Sequence, residues 1–281
     1  MHKKFKKILT GLAFSPNFEA NLYESIRLSN MFDSELILVH VGEETKDKKL
    51  KINKILEKAP DLRNKLSIVF QSGDPVEVIS SNCKSLGVDL LIIGAQSREN
   101  IFKHYLGSIA RKLTRKAGCS VLLLIKQSLE REACKHIVVN GLKDPKTEDT
   151  IETAFYTSKG LGCQKITIVE EIKNKEVSMK VSDDRSLRKV NIDKQRLTTR
   201  ETQRVKELVN HIEADLRKEV KVKTQSIFGK TGYSIGHYAK VVRADLLVMN
   251  EPKRTNILDR IFPHDLEYIL SELPTNVLIV R

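Results

Sequence analysis

Apolar residues along this chain fall in short, nearly unbroken runs, and the stretches between them carry apolar positions at helical spacing. KILTGL at 7–12, closed by the breaker pair Ser15-Pro16, predicts a buried strand ending in a loop. Residues 17–32 follow as a helix with Leu22, Ile26 and Leu28 near one face, and Asn17 or Ser15 can cap its start. ELILVHV at 35–41 has almost no polar interruption, as expected of a parallel strand covered on both faces. A charged helix with Leu50, Ile52 and Ile55 as its buried stripe runs until Pro60. A third strand is predicted over 66–70, a turn at Gly73-Asp74-Pro75, and a helix over 76–86 that buries Val78, Ile79 and Leu86. Residues 89–125 then read as strand, glycine-ended loop, helix and strand. Five strands alternating with four helices in about 125 residues predict a doubly wound parallel sheet, because right-handed crossovers put helices on both faces. Ligands of such sheets sit at the carboxyl ends of strands where the strand order reverses.

The chain then runs the same programme again. Residues 245–281 align without a gap to 89–125, sharing Asp-Leu-Leu at the start, Arg98, Asn100 and Ile101 against Arg254, Asn256 and Ile257, and an apolar closing strand. A repeat of this length implies duplication. Residues 126–134 are polar and aperiodic and read as a linker; strand 136–140, helix 146–161 and strand 165–169 follow, with Asp144-Pro145 standing for Ser15-Pro16. The expected organisation is α/β, with two tandem doubly wound five-stranded parallel sheets: one over 1–128, a linker over 129–135, and one over 136–281. The second copy carries a charged insertion over 171–201 without a clear apolar face, expected to be mobile between 173 and 200. A helix over 202–220, a strand over 222–228 and a helix over about 233–242 complete it.

A length of 281 residues suits two domains of about 140 better than one. No run approaches the roughly 18 apolar residues of a membrane span, and the basic start, MHKKFKKILT, passes straight into a strand, so cytoplasmic residence without a membrane is the expectation. Cys83, Cys119, Cys134 and Cys163 stand far apart, with no zinc-type or dithiol spacing, and read as free thiols. No metal site is expected. A net charge of +13 invites a polyanion, but lysines alternate with acids over 43–58 and 170–194 as on solvated faces, which disfavours nucleic acid.

The chemistry concentrates in the loop after the fourth strand. Gly94 ends that strand, and Gly107-Ser108 opens the next helix, whose first turn (Ile109, Ala110, Arg111) lacks an acid. A glycine lets a ligand approach the backbone, and a helix N-terminus offers unpaired N–H groups and the positive end of its dipole, a combination suited to phosphate. Arg98, Lys103 and His104 add positive charge. In the second copy Asn250 replaces Gly94, Lys253 replaces Ser97, Pro263-His264 replaces Gly107-Ser108, and Asp265 and Glu267 enter the first turn, all changes that disfavour an anion. No catalytic residue is assigned: His40 reads as a strand-end histidine with a satisfied ring, Ser15 near Asp74 has no histidine partner, and neither GxxxxGK[ST] nor GxGxxG occurs. Asp33, Asp89 and Asp245 read as backbone-capping residues near element ends.

The order of elements, the GDP turn at 73–75, the VDLLIIG strand and the loop GAQSRENIFKHYLGS resemble the universal stress protein family, whose tandem members would cover the whole chain. The resemblance implies a Rossmann-like, adenine nucleotide alpha hydrolase-like fold and an ATP or related adenine nucleotide, with magnesium only as its companion. Gly94, Gly107 and Ser108 are in register with the family's phosphate motif, while Ser97 takes the place of its second glycine. The family's strand-end aspartate corresponds to Ala13 in the first half and Leu142 in the second. By this resemblance adenine would lie near Val41, ribose near Ala13, and phosphates between Gly94 and Ile109, with Ser97, Arg98, Gly107 and Ser108 around them. It further implies a regulatory or scaffold role in the stress response, non-catalytic or at most weakly ATP-hydrolysing, through unidentified protein partners. The closing strands 120–125 and 276–280, apolar and at sheet edges, are expected to cover one another about a pseudo-twofold axis, giving an intramolecular pseudo-dimer that can still associate as a homodimer. The alternatives are a nucleotide-hydrolysing enzyme on the same sheet, against which the missing acid at Ala13 counts, and a basic nucleic-acid scaffold acting through 173–200.

Overall fold

The structure, a computed structural model, describes residues 4–59, 63–95, 106–125, 127–173, 176–177, 181–251 and 265–281. They form two compact units: residues 1–133 together with 276–281, and residues 134–275. Each is a mainly parallel sheet alternating with helices, the architecture that the hydrophobic pattern predicts.

In the first unit the chain runs β1 (Lys7–Leu12), α1 (Phe18–Phe32), β2 (Glu35–Val41), α2 (Lys46–Leu56), β3 (Leu66–Gln71), α3 (Pro75–Ser85), β4 (Leu90–Gly94), α4 (Ser108–Lys116) and β5 (Ser120–Leu124). The strand order is β3-β2-β1-β4-β5. It reverses at β1, which pairs in parallel with β2 on one side and β4 on the other, through Thr10↔Leu38 and Thr10↔Ile92. Ile8, Leu9, Leu36, Leu38 and Leu91 are fully buried, so the unbroken apolar runs are strands covered on both faces. The GDP turn works as a cap. Asp74 accepts from Val76 N (2.9 Å) and Glu77 N (3.1 Å), while Pro75 takes the first helical position, where its missing N–H costs nothing. The last strand of the chain, β10 (Asn276–Val280), also belongs to this unit. It pairs antiparallel with β5, placing Ile279 opposite Val121 and Val277 opposite Leu123.

The second unit holds β6 (Ile137–Asn140), α5 (Thr147–Leu161), β7 (Lys165–Lys173), α6 (Asp184–His211), α7 (Ala214–Arg217), β8 (Lys221–Gly229), α8 (Tyr233–Val241), β9 (Leu246–Asn250) and α9 (Asp265–Ser271). Its strands lie in the order β9-β6-β7-β8, all parallel, and the order reverses at β6. Small devices recur between the units. Asp89 accepts from Lys6 N and Lys7 N, both at 2.9 Å, and Asp245 accepts from Lys135 N (2.7 Å) and His136 N (2.9 Å). Each aspartate ties the start of one strand to the start of its neighbour. The helices α1 and α5 both end on a left-handed residue, Asp33 (φ 51°) and Gly162 (φ 71°), and Ser29 and Ser158 donate across the following turn to Ser34 O and Cys163 O.

The expectation of a mobile insertion is corrected over 184–200. The charged stretch is the first part of a 28-residue helix, α6, that continues through the helix read from residue 202. Its start is fixed by a capping box: Asp183 accepts from Ser186 N at 2.7 Å, and Ser186 Oγ accepts from Asp183 N at 3.1 Å. Its buried side runs through Val190, Glu201, Val205 and, just past its end, Ile212. A glutamate in the middle of that side hid the periodicity. Arg200 and Arg204, with Nε–O distances of 2.9 and 2.8 Å, neutralise it. Burial works to raise the Glu201 carboxyl, but these two guanidinium groups outweigh it and hold it below the usual carboxylate range.

All four cysteines are free thiols, as their spacing predicts. The fold nonetheless brings them into two neighbouring pairs, Cys83 with Cys119 and Cys134 with Cys163, a proximity that distance along the chain cannot reveal.

Candidate functional site

The reversal at β1 brings the carboxyl ends of β1, β2 and β4 together with the start of α4. Gly94 closes β4, and an added Cβ there would stand 2.5 Å from Asn21 Oδ1 on α1. A larger residue at 94 would have to displace the Asn21 amide, which packs against the bare backbone of the strand end. At α4, Gly107 is the N-cap, with φ −60° and ψ 161° and no side chain capping the helix. Ser108 and Ile109 are exposed, no acid stands in the first turn, and Arg111 donates from Nε to Leu106 O at 3.2 Å. The first-turn N–H groups of α4 thus point from a helix end with no carboxylate of its own, the condition under which a helix terminus attracts an anion.

The sequence-predicted residues divide. Gly94, Gly107, Ser108 and Ile109 lie at this strand and helix end, and Ala13 and Val41 terminate β1 and β2, with Ala13 exposed and Val41 half-buried. Ser97, Arg98, Lys103 and His104 lie outside the described residues. His40 has the satisfied ring expected of it. Its Nδ1 lies 3.1 Å from Leu12 O, and since a carbonyl only accepts, Nδ1 carries the hydrogen and donates. The ring packs edge-on against Phe14 and Phe70, at centroid distances of 4.9 and 5.6 Å.

Three residues at this end escaped sequence reasoning. Phe14, next to Ala13, is 36% exposed although it touches Phe18 and His40, so it offers an aromatic face beside the ends of β1 and β2. A lone phenylalanine after a strand reads as core, and nothing in its spacing marks it otherwise. Asn21 is recognised only through its contact with Gly94. Gln127, in the polar segment read as linker, donates from Nε2 to Leu124 O (2.6 Å) and Ala95 O (3.3 Å) and accepts from Asn17 Nδ2 (3.4 Å), tying the ends of β4 and β5 to the start of α1.

The corresponding end of the second unit is built differently. Asn250, at the end of β9, is buried and donates to Thr147 Oγ1 at 3.2 Å, so the strand end that is a glycine in the first unit carries a side chain in the second. Where β2 ends in His40 and Val41, β7 supplies Glu170 and Glu171, both buried. Glu171 accepts from Gly232 N (3.0 Å) and Ile235 N (2.8 Å), so a carboxylate of the protein occupies the N-terminus of α8. Pro263 and His264 lie outside the described residues.

A doubly wound parallel sheet alternating with helices, with its strand order reversing at β1, defines a class of α/β domains. Within that class, residues 4–124 match the Universal stress protein family. The match covers the first half of the chain, and the chain as a whole has two halves with a universal stress protein-like fold. Two curated relatives align over about half of the chain: Universal stress protein YxiE of Bacillus subtilis, 23% identical over 43% of this chain and 99% of its own length, and Universal stress protein A homolog 2 of Coxiella burnetii, 27% identical over 42% and 93%. The fold extends over both halves in solved structures. A universal stress protein from Archaeoglobus fulgidus is 14% identical and covers 100% of this chain and 99% of its own, with a TM-score of 0.68. The functionally unknown protein PA1789 of Pseudomonas aeruginosa PAO1 is 16% identical, covers 99% and 93%, and has a TM-score of 0.69. Among the described residues no helix is long and apolar enough to cross a membrane.

Proposed function

We propose that this chain is a universal stress-type regulatory module that binds an adenine nucleotide in its first unit only and works through the conformation of that unit rather than by turnover. The observation that carries this reading is the start of α4, where Gly107 and Ser108 open a helix with neither a side-chain cap nor a first-turn acid, opposite the bare end of β4 at Gly94. Phosphates would be held by those N–H groups, ribose would lie by Ala13, and the base would lie between Val41 and the exposed ring of Phe14. Ala13 offers no carboxylate to the ribose hydroxyls, so a charged hydrogen bond of roughly 1.5 to 3 kcal/mol is forgone and a modest affinity is expected. A binding role fits better than hydrolysis because the ring of His40 is engaged by Leu12 O and packed between two phenylalanines.

Ser108→Asp separates phosphate binding from helix integrity. A carboxylate in the first turn stabilises α4 through the dipole yet repels an incoming phosphate. In calorimetric titration with ATP, with and without magnesium, the wild type should bind and Ser108→Asp should bind at least about tenfold more weakly, with an unfolding midpoint equal to or above that of the wild type. Equal affinity in the two proteins would remove the helix terminus from the site.

A further inference from the structure

We infer that Cys134 and Cys163 form a redox-active dithiol in the second unit: a hydroperoxide oxidises Cys134, and Cys163 closes a disulfide onto it that staples the approach to β6 to the approach to β7. Both cysteines belong to that unit, which begins at Cys134. The ladder between these parallel strands opens at Ile137↔Ile166, and each cysteine stands three residues before its member of that pair, so the two are level across the register. Neighbouring parallel strands lie about 4.8 Å apart, within the Cα separation of about 4.4 to 6.8 Å that a disulfide spans. The side chains face one another, since the two thiols share a hydrogen bond.

The two sulfurs are placed for different parts. Cys163 follows Gly162, the left-handed cap of α5; its N–H donates to Ser158 O at 2.8 Å, its carbonyl accepts from Ser158 Oγ, and its Sγ donates to Lys165 O at 3.5 Å. It is only 2% exposed, whereas Cys134 is half-buried. Cys134 is therefore the thiol that an oxidant meets, and Cys163 needs only to reach its neighbour. The hydrogen bond between them splits their ionisations, lowering Cys163 to about 7 and raising Cys134. The pair thus gives up its first proton more readily than a lone thiol, and the sulfurs share the proton that remains.

With the shared proton on Cys163, the Cys134 thiolate attacks one oxygen of the hydroperoxide and breaks the O–O bond, giving a sulfenic acid on Cys134 and an alcohol, or water from hydrogen peroxide. The Cys163 sulfur then attacks the Cys134 sulfur and breaks its S–O bond, and the departing hydroxide takes the Cys163 proton and leaves as water. The two thiols lose two hydrogens and two electrons, and the hydroperoxide gains them. Cys83 and Cys119 are a control within the same chain. They are neighbours too, but at 4% and 7% exposure both are buried, so they have the proximity without the access. Among the described residues no three His, Cys, Asp or Glu side chains converge to hold a metal ion, so neither pair is part of a metal cluster there.

The test exposes the reduced, full-length protein to hydrogen peroxide at about tenfold molar excess, alkylates the remaining thiols after unfolding, and maps the peptides by mass spectrometry. The expected result is a Cys134–Cys163 disulfide within one chain, reopened by dithiothreitol, with Cys83 and Cys119 recovered as alkylated thiols. In Cys163→Ser the link cannot close, and dimedone should trap a sulfenic acid on Cys134; in Cys134→Ser, Cys163 should stay reduced. The oxidised wild type should unfold at a higher urea midpoint than the reduced form, because the closed loop restricts the unfolded chain. Absence of the Cys134–Cys163 link in the wild type, its replacement by a link between chains, or oxidation of Cys83 or Cys119 ahead of Cys134 would overturn the assignment. Should Cys163→Ser fail to fold, the wild-type map and Cys134→Ser decide, and oxidation of Cys163 in Cys134→Ser at the wild-type rate would count against Cys134 as the thiol attacked first.

Discussion

His136 shows at a single residue how the fold sets a pH limit. It stands at the start of the second unit's sheet, buried, with Nε2 on Thr167 Oγ1 at 2.8 Å. Burial first, and the nearby charge of Lys165 second, hold its imidazole below the ordinary value. A histidine whose folded value lies below its unfolded value of about 6.5 contributes stability that is intact above that pH. The contribution is lost as pH falls from there through the folded value, because the unfolded chain takes up the proton first. Urea midpoints should therefore drop between about pH 7.5 and about pH 5, and His136→Gln should flatten the drop; identical slopes would show that another group sets the limit. The same scale marks what the sequence hides. Gly94, Gly107 and Ser108 are legible because glycine and serine at element ends have a recognised physical use. Phe14 and Glu170 are not, since a phenylalanine and a glutamate acquire their meaning only when the sheet exposes the one and buries the other.

At the scale of elements, most strands are legible almost to the residue, because both-face burial leaves an unbroken apolar run that polar loops bound sharply; β7, read over 165–169, is the exception, since it continues to Lys173 through the buried Glu170 and Glu171. Helices with one charged residue on the buried side are not legible in that way. The stretch over 184–200 looks aperiodic until Glu201 is paired with Arg200 and Arg204, and that pairing is a tertiary fact. Asp89 and Asp245 were legible as capping residues, and their geometry sets a magnitude. Each accepts two backbone N–H groups, so Asp89→Ala and Asp245→Ala should each lower stability by about 1.5 to 3 kcal/mol in urea unfolding. A loss below about 0.5 kcal/mol in both would mean that water replaces the carboxylate without cost.

For the whole molecule, chain order and compact units do not coincide. The final strand β10 follows the second unit in sequence yet pairs with β5, with Ile279 fully buried opposite Val121. The apolar closing strand and its pairing with the strand at 120–124 are both readable from the sequence, because two exposed apolar edges cover one another; that the strand belongs to the first compact unit is not. Ile279→Lys should therefore destabilise the first unit, by about 3 kcal/mol or more for a lysine in a core position, and hydrogen exchange should speed up in β5 at 120–124. Unchanged exchange there would contradict the pairing.

Both halves carry one scaffold, and what distinguishes them is strand-end chemistry: glycine and an acid-free helix start in the first unit, asparagine and glutamates in the second. Hydrogen exchange of the full-length protein with and without saturating ATP reads this most directly. The account predicts slowed exchange in peptides covering 12–18, 94–95 and 106–111, with no change over 139–143 and 169–173. Protection of the second unit's strand ends, or no protection at the start of α4, would contradict it.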